Sequence, residues 1–407
     1  MLHREKQVAG SGRAVRKGHL RAYDNPMSFN RVIITSIIGF ISITLGILAV
    51  GVAIHIAQLD LRYVVAFIGA IIILFICLMI RERNRMFYFF LVLFTMGIPF
   101  NLDLHLFYRK FHLGGAMGID LSLSFICAAV LYTILLYERY TYPDVVRIHY
   151  NKALVWTQIL FMVAGLSSLV NAEDTVLVFF EMVKLTVLFF FSLLMMNLRD
   201  ERQLKTVVFF LSVGVVAQAL LALYQYKTGR SLGLQVFGEQ ALVQQYLGSM
   251  TSRATGTIGH PNILAYYFEI LLPLLFALFL VEESKLAQLW YFTAMVMGVL
   301  GILITLSRAG WITIPISFSM VLVILLKDRW HHWRTIFQVF LGALCLIVFF
   351  YFFFPTIEKR FTFEDRGSAA TRIPLNRAAM TIISQFPLFG VGLNNLAEVF
   401  RRYDTTG

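Results

Sequence analysis

Three arginines, two beside long apolar runs and one in the terminal segment, carry the chemistry this chain could do. Arg253 stands in Ser252-Arg253-Ala254-Thr255-Gly256-Thr257-Ile258-Gly259-His260-Pro261-Asn262, directly ahead of an apolar run. Gly256, Gly259 and Pro261 are turn formers, and Asn262 is placed to cap the helix that follows. Arg308 stands in Thr305-Leu306-Ser307-Arg308-Ala309-Gly310-Trp311, where almost no polar linker separates two apolar runs. It must sit at the tip of a tight hairpin or in a polar cavity, because an arginine at membrane depth costs about 2.5–3.5 kcal/mol on insertion scales. Arg372 opens a stretch to Ile383 with apolar residues at near-helical spacing. Pro374 suits its first turn, and Pro387-Leu388-Phe389-Gly390-Val391-Gly392-Leu393 breaks the helix, which reads as amphipathic and lying on a membrane surface. A guanidinium is a permanently charged planar fork that grips phosphate oxygens bidentately. Several converging at an apolar interface suit a lipid-linked phosphate or diphosphate. Taken singly, Arg253 also reads as part of a solvated loop and Arg308 as a snorkelling interfacial side chain.

Other polar residues carry weaker signals. Glu181 and Lys184 lie one helical turn apart in an apolar run, where they pair with each other or line a substrate cavity. His105 and His112 flank Arg109 and Lys110 without ligand-spaced cysteines or carboxylates, which reads as a solvated loop and not a metal site. The sequence holds no Asp-x-Asp pair, no glycine-rich phosphate loop and no His-Glu-x-x-His, which argues against nucleotide-dependent or classical metal chemistry. Cys77, Cys127 and Cys345 all lie in apolar runs and read as small buried hydrophobes.

The elements that must position these residues are membrane helices. The chain of 407 residues is 58% hydrophobic and 14% charged, whereas soluble domains run at about 45–50% and about 25%. That excludes a soluble enzyme. Apolar runs long enough to span a bilayer fall at about 32–54, 62–80, 86–100, 119–137, 153–170, 176–197, 204–226, 263–281, 289–306, 309–326 and 335–354, eleven in all. They lack the alternation of a membrane barrel. Residues 1–31 form a basic tail, and the run after it has no small-residue cleavage site, so it reads as a retained anchor. Alternate connections carry 20 Lys and Arg on one side and 7 on the other. This bias places the N-terminus in the cytoplasm and puts Arg253, Arg308 and the two long segments 227–262 and 355–407 on the outer face. The net charge of +12 thus belongs to membrane topology, not to nucleic-acid binding. One helical body, 32–354, carries the outer loop 227–262 and leads into a large outer loop that starts at 355.

With these residues in view, the sequence resembles the O-antigen ligase / O-antigen polymerase superfamily. RATGTIGHPNILA is similar to that family's R-x-x-G-x-x-x-x-x-N-x-x-A before a helix, TLSRAGW to its Ser-Arg hairpin, and QFPLFGVGLNN to its P-L-x-G-x-G element. The motifs cover roughly 204–407. The resemblance implies an all-α, GT-C-like, multi-pass inner-membrane glycosyltransferase that needs neither metal nor cofactor. It would move a glycan from undecaprenyl diphosphate to lipid A core, to another lipid-linked repeat or to protein, in the building of lipopolysaccharide or another surface polysaccharide. Arg253 and Arg308 match the arginines that hold the donor diphosphate, and Arg372 a further basic position. Gly256, Asn262 and Ser307 are expected to support them, with Glu181 and Lys184 as further candidates. The family's general base is the His of a His-Asn motif downstream of P-L-x-G-x-G. No such motif occurs by Gly407, so the base is expected beyond it, and residues 1–407 are expected to stop inside the large loop and to bind donor without transferring it. The rival class is a transporter of lipid-linked glycan or a small anion, and a third is a non-catalytic scaffold; no paired broken helices favour the transporter.

Overall fold

The computed structural model describes residues 61–80, 82–100, 103–109, 112, 114–143, 148–198, 200–240, 253–329 and 368–403, with single positions at 333, 337, 340, 351 and 358. The basic tail 1–31, the expected spans 32–54 and 335–354 and the start of the large loop lie wholly or mostly outside the described residues. The chain divides into two units, Met1–Glu82 and Arg83–Gly407. In the first, α1 (Leu61–Met79) is apolar almost throughout and exposes Ile68, Ile72, Phe75 and Met79.

The second unit runs α2 (Arg83–Gly97), β1 (Asp103–Leu106), β2 (Ile119–Ser122), α3 (Leu123–Thr141), α4 (Lys152–Ser167), α5 (Thr175–Met196), α6 (Glu201–Thr228), α7 (Pro261–Val281), α8 (Lys285–Ile304), α9 (Arg308–Arg329), α10 (Ser368–Gln385) and α11 (Leu396–Phe400). Among the described residues seven helices, α3 to α9, are long and apolar enough to cross a membrane. Each expected span from 62–80 to 309–326 has its helix, and one begins differently. The run 119–137 opens as a strand: Ile119–Ser122 pairs antiparallel with Asp103–Leu106, Asp103 opposite Ser122. Among the described residues the ribbon is a short addition to an otherwise helical body, which agrees with the all-α reading. Ser122 ends the strand and starts the helix, its Oγ accepting from the Phe125 amide at 3.1 Å.

The helix ends follow local chemistry. Asn151 and Asp174 accept from the amides of Leu154 and Val176 to cap α4 and α5. Asp200 and Gln203 form a capping box on α6, which ends at Gly229 with φ 64°. Pro273 and Pro315 lie inside α7 and α9, as membrane helices tolerate. The largest core lies among α6 to α9, around Val215, Leu264, Phe268, Leu272 and Leu275. Gly301 of α8 lets Phe268 of α7 pack against bare backbone: a Cβ there would sit 2.6 Å from the ring. The opposite faces expose Ile270, Ile316, Met320 and Val323, the pattern of helices bathed in lipid.

The turns gather at two ends. At one, Arg83 pairs with Glu138 at 3.6 Å and Asn197 holds His149 through its backbone. At the other, the α2–β1 turn meets α6 and the segment before α7, because both Gln218 and Thr257 donate to the Pro99 carbonyl. The Arg253 loop, Asn262 and the turn that carries Arg308 stand at this second end.

Candidate functional site

The loop carrying Arg253 is held from behind by α6. Gln218 and Gln225, two turns apart on one face, are both fully buried. The Gln225 Oε1 accepts from the amides of Thr255 and Gly256 at 3.0 and 2.9 Å. Its Nε2 donates to Glu239 Oε1 at 2.7 Å. Glu239, itself 2% exposed, also accepts from the amides of Leu232 and Leu234. The Gln218 Oε1 accepts from the Thr257 amide at 3.1 Å. Gly256 adopts φ 58°, and a Cβ there would stand 2.3 Å from Gln218 Oε1, so glycine is required twice over.

Held this way, Arg253 crosses to the α8–α9 hairpin. Its Nε donates to the Thr305 carbonyl at 2.9 Å and its Nη2 to Asn262 Oδ1 at 2.7 Å. The hairpin is as short as expected: α8 ends at Ile304, and Arg308 is the first residue of α9. Leu306 makes the reversal with φ 54°, a costly conformation for a buried leucine. Ser307, buried, donates its amide to Thr305 Oγ1. Arg308 is half-buried. Two motifs 52 residues apart thus meet through one side chain, and that side chain's carbonyl partner lies three residues from Arg308. Behind the hairpin, Gly310 leaves room for Glu269 of α7: a Cβ there would meet Glu269 Oε1 at 3.0 Å. That oxygen is buried and has no hydrogen-bond partner among the described residues.

Asn262 does not cap α7, as the sequence suggested. Pro261 occupies the first helical position, so the cap falls to His260, whose Nδ1 accepts from the Asn262 amide at 3.2 Å. The Asn262 side chain is thereby released to face Arg253. Burial, and then the Arg253 guanidinium nearby, push the His260 imidazole below its ordinary value, so it is neutral at pH 7. With Nδ1 occupied as acceptor, Nε2 carries the proton and the ring is a donor, not a base. In the whole protein, His260→Asn is therefore expected to keep the glycan transfer that the resemblance implies within a factor of about three, since asparagine caps as well. A fall of about 100-fold at unchanged expression, measured in membranes, would give His260 a proton-transfer role.

A second cluster holds the chain after α10. Gly390, Gly392 and Asn394 all take positive φ, and the resulting irregular segment docks on the turns of the first half. Asn394 Oδ1 accepts from the Gly115 amide and faces His112 Nε2 at 3.0 Å, while its Nδ2 donates to the Ala116 carbonyl. Asn395 exchanges bonds with the backbone of Asp174, and Ser168 Oγ accepts from the Leu393 amide. Arg402 pairs with Glu173 at 2.5 Å. Burial pushes the Asp174 carboxyl up, but hydrogen bonds from Arg109, Val176 and Leu177 outweigh it and hold the group below the usual carboxylate range. His112 is not in a solvated loop: its side chain is 2% exposed, and Nδ1 faces Glu398 at 3.3 Å. The missing signal was its partner segment, some 280 residues on.

Glu181 joins this second cluster. It lies 3.9 Å from Lys184, the expected i,i+3 pair, and its Oε2 also accepts from the Ala116 amide at 3.1 Å. Arg372 lies on α10, its side chain outside the described residues. Pro374 falls inside that helix and not in its first turn, because α10 begins earlier, at Ser368. Ala378 and Ile382 of α10 are buried, and Ile382 packs with Phe386, Val391, Val399 and Tyr403, while Ile373, Met380 and Ile383 are exposed. Gln218, Gln225, Glu239 and Glu269 had no place in the sequence reading. Two glutamines seven residues apart in an apolar span were a visible signal for the first two.

No curated protein and no solved structure matches the chain. Residues 293–406, which hold α9 with Arg308 as well as α10 and the docked segment, match the family model of O-antigen ligase. Over residues 293–406 the chain is thus similar to O-antigen ligase, and the seven apolar helices are those of a multi-pass membrane protein.

Proposed function

We propose that the protein is a glycosyltransferase that moves a glycan from undecaprenyl diphosphate to an acceptor (glycan, lipid A core or protein) at the outer face of the cytoplasmic membrane. The observation that carries the reading is the bond from Arg253 to the Thr305 carbonyl, which puts the two arginine motifs in one place. The Lys and Arg bias assigns that place to the outer end of the bundle. The reaction is displacement at the anomeric carbon: the bond to the diphosphate oxygen breaks as the acceptor oxygen bonds to the sugar. Arg308, with Arg253 beside its hairpin, meets the charge that develops on the leaving diphosphate. A base takes the acceptor proton, and His260 does not fill that part. The exposed apolar stripe of α10, Ile373, Met380 and Ile383, suits a helix lying on the outer leaflet.

Deleting the protein from its host tests the reading. Undecaprenyl-linked glycan is expected to accumulate in the outer leaflet, within reach of a glycosidase added from outside, while the mature glycoconjugate is lost. Accumulation in the inner leaflet would identify a transporter instead.

A further inference from the structure

We propose that Gln225, with Glu239 behind it, is a positioning residue for the arginine site. It holds the backbone of Thr255 and Gly256 so that Arg253 reaches Thr305 and fixes the hairpin that presents Arg308. The functional part rests on the diphosphate reading above; the mechanical part does not.

The argument begins with burial. Gln225 and Glu239 are 0% and 2% exposed, and an amide or a carboxylate buried at that depth is costly unless its bonds are all made. Here they are made to one purpose. The Gln225 Oε1 collects two successive amides, those of Thr255 and Gly256, and its Nε2 reaches Glu239 and the Gly256 carbonyl. The side-chain amide thus stands in for a strand neighbour to a loop that has none. Glu239 fixes which way that amide points: a carboxylate only accepts, so Nε2 must face it and Oε1 must face the loop. Gln218 repeats the device one residue further on, at Thr257. Arg253 is two residues from Thr255, and the bonds of its Nε and Nη2 span to Thr305 and Asn262. A guanidinium fork with one target in the α8–α9 turn and the other on α7 needs its own backbone fixed. A leucine at 225 would pack as well and orient nothing.

The test uses Gln225→Glu and Gln225→Ala in the full chain in nanodiscs. Hydrogen exchange reads the amides of 255–257 and 306–308 against wild type at each pH, and farnesyl diphosphate serves as the binding probe. Glu239 is the ionisable group facing position 225, and Arg253 is the next charge along the loop. In Gln225→Glu, one shared proton can bridge the two carboxyls at low pH; without it they repel. Exchange at both 255–257 and 306–308 should therefore match wild type near pH 5 and quicken by about tenfold or more near pH 9, with farnesyl diphosphate binding falling in parallel. Gln225→Ala should loosen both segments at every pH. Quickened exchange at 255–257 with 306–308 unchanged would overturn the positioning role, as would a Gln225→Glu protein that behaves alike at both pH values. If the hairpin loosens as expected but Arg253→Ala and Gln225→Ala bind farnesyl diphosphate like wild type, the diphosphate reading fails and the mechanical link stands.

Discussion

Replacing Arg308 by alanine is expected to lower glycan transfer by about 100-fold or more, the usual loss when one preorganised donor to a developing anion is removed. The loss should fall mainly on kcat, because the charge that Arg308 meets grows as the glycosidic bond breaks. Arg308→Lys should recover only part, since an ammonium is a point charge without the planar fork. Arg253→Ala should be as severe for a different reason. It removes the bond to the Thr305 carbonyl and with it the support of the Leu306 reversal. Arg253→Lys cannot serve Thr305 and Asn262 from one plane and should stay impaired. Transfer assays with the whole protein in membranes, at expression matched by immunoblot, check the set. Near wild-type transfer by Arg308→Ala would remove the hairpin from the reaction.

Asn394→Ala is expected to undo the docking of the segment after α10. The side chain serves the exposed Gly115 amide and the buried His112 and Ala116 carbonyl, and each of the two buried partners left unpaired costs about 1–3 kcal/mol. Alanine would also have to hold φ 62°, which adds about 1–2 kcal/mol. Limited proteolysis should then cleave between Phe386 and Arg402 much faster than in wild type. Asn394→Gly, which is free of the φ penalty, should show the same cleavage with a smaller loss of thermal stability. Resistance of both variants to protease would mean that the other bonds suffice: those of Ser168 and Asp174, and the one from the Asn171 side chain to the Gly390 carbonyl at 3.0 Å.

Much of the scaffold was legible because membrane helices announce themselves by length and apolarity. Runs such as 263–281 and 309–326 found α7 and α9 to within a few residues. The β1–β2 ribbon was not legible, because Ile119-Asp120-Leu121-Ser122 merges without a break into the apolar run of α3. Within the candidate site, residue type singled out Arg253 and Arg308 as candidates, and the structure brings the Arg253 side chain to Asn262, one of the expected supports. Residue type could not find the supports on and beyond α6. Gln225 and Glu239 act by facing backbone amides, and a side chain that reads backbone leaves no sequence trace in its partner. Asn262 looked like a cap by position, yet Pro261 handed that task to His260. His112 looked solvated because its partners, Asn394 and Glu398, are remote in the chain. Long-range polar pairing is set by the fold and carries no local pattern.

The central claim, that the Arg253–Arg308 hairpin binds the diphosphate of a lipid-linked donor, is tested most directly by binding. Purified protein in nanodiscs is titrated with radiolabelled farnesyl diphosphate, beside Arg308→Ala and the double variant Arg253→Ala/Arg308→Ala, with folding verified by thermal melting. Saturable binding by wild type, competed by inorganic diphosphate, weakened by Arg308→Ala and lost in the double variant, is the predicted result. Equal binding by all three proteins would contradict it.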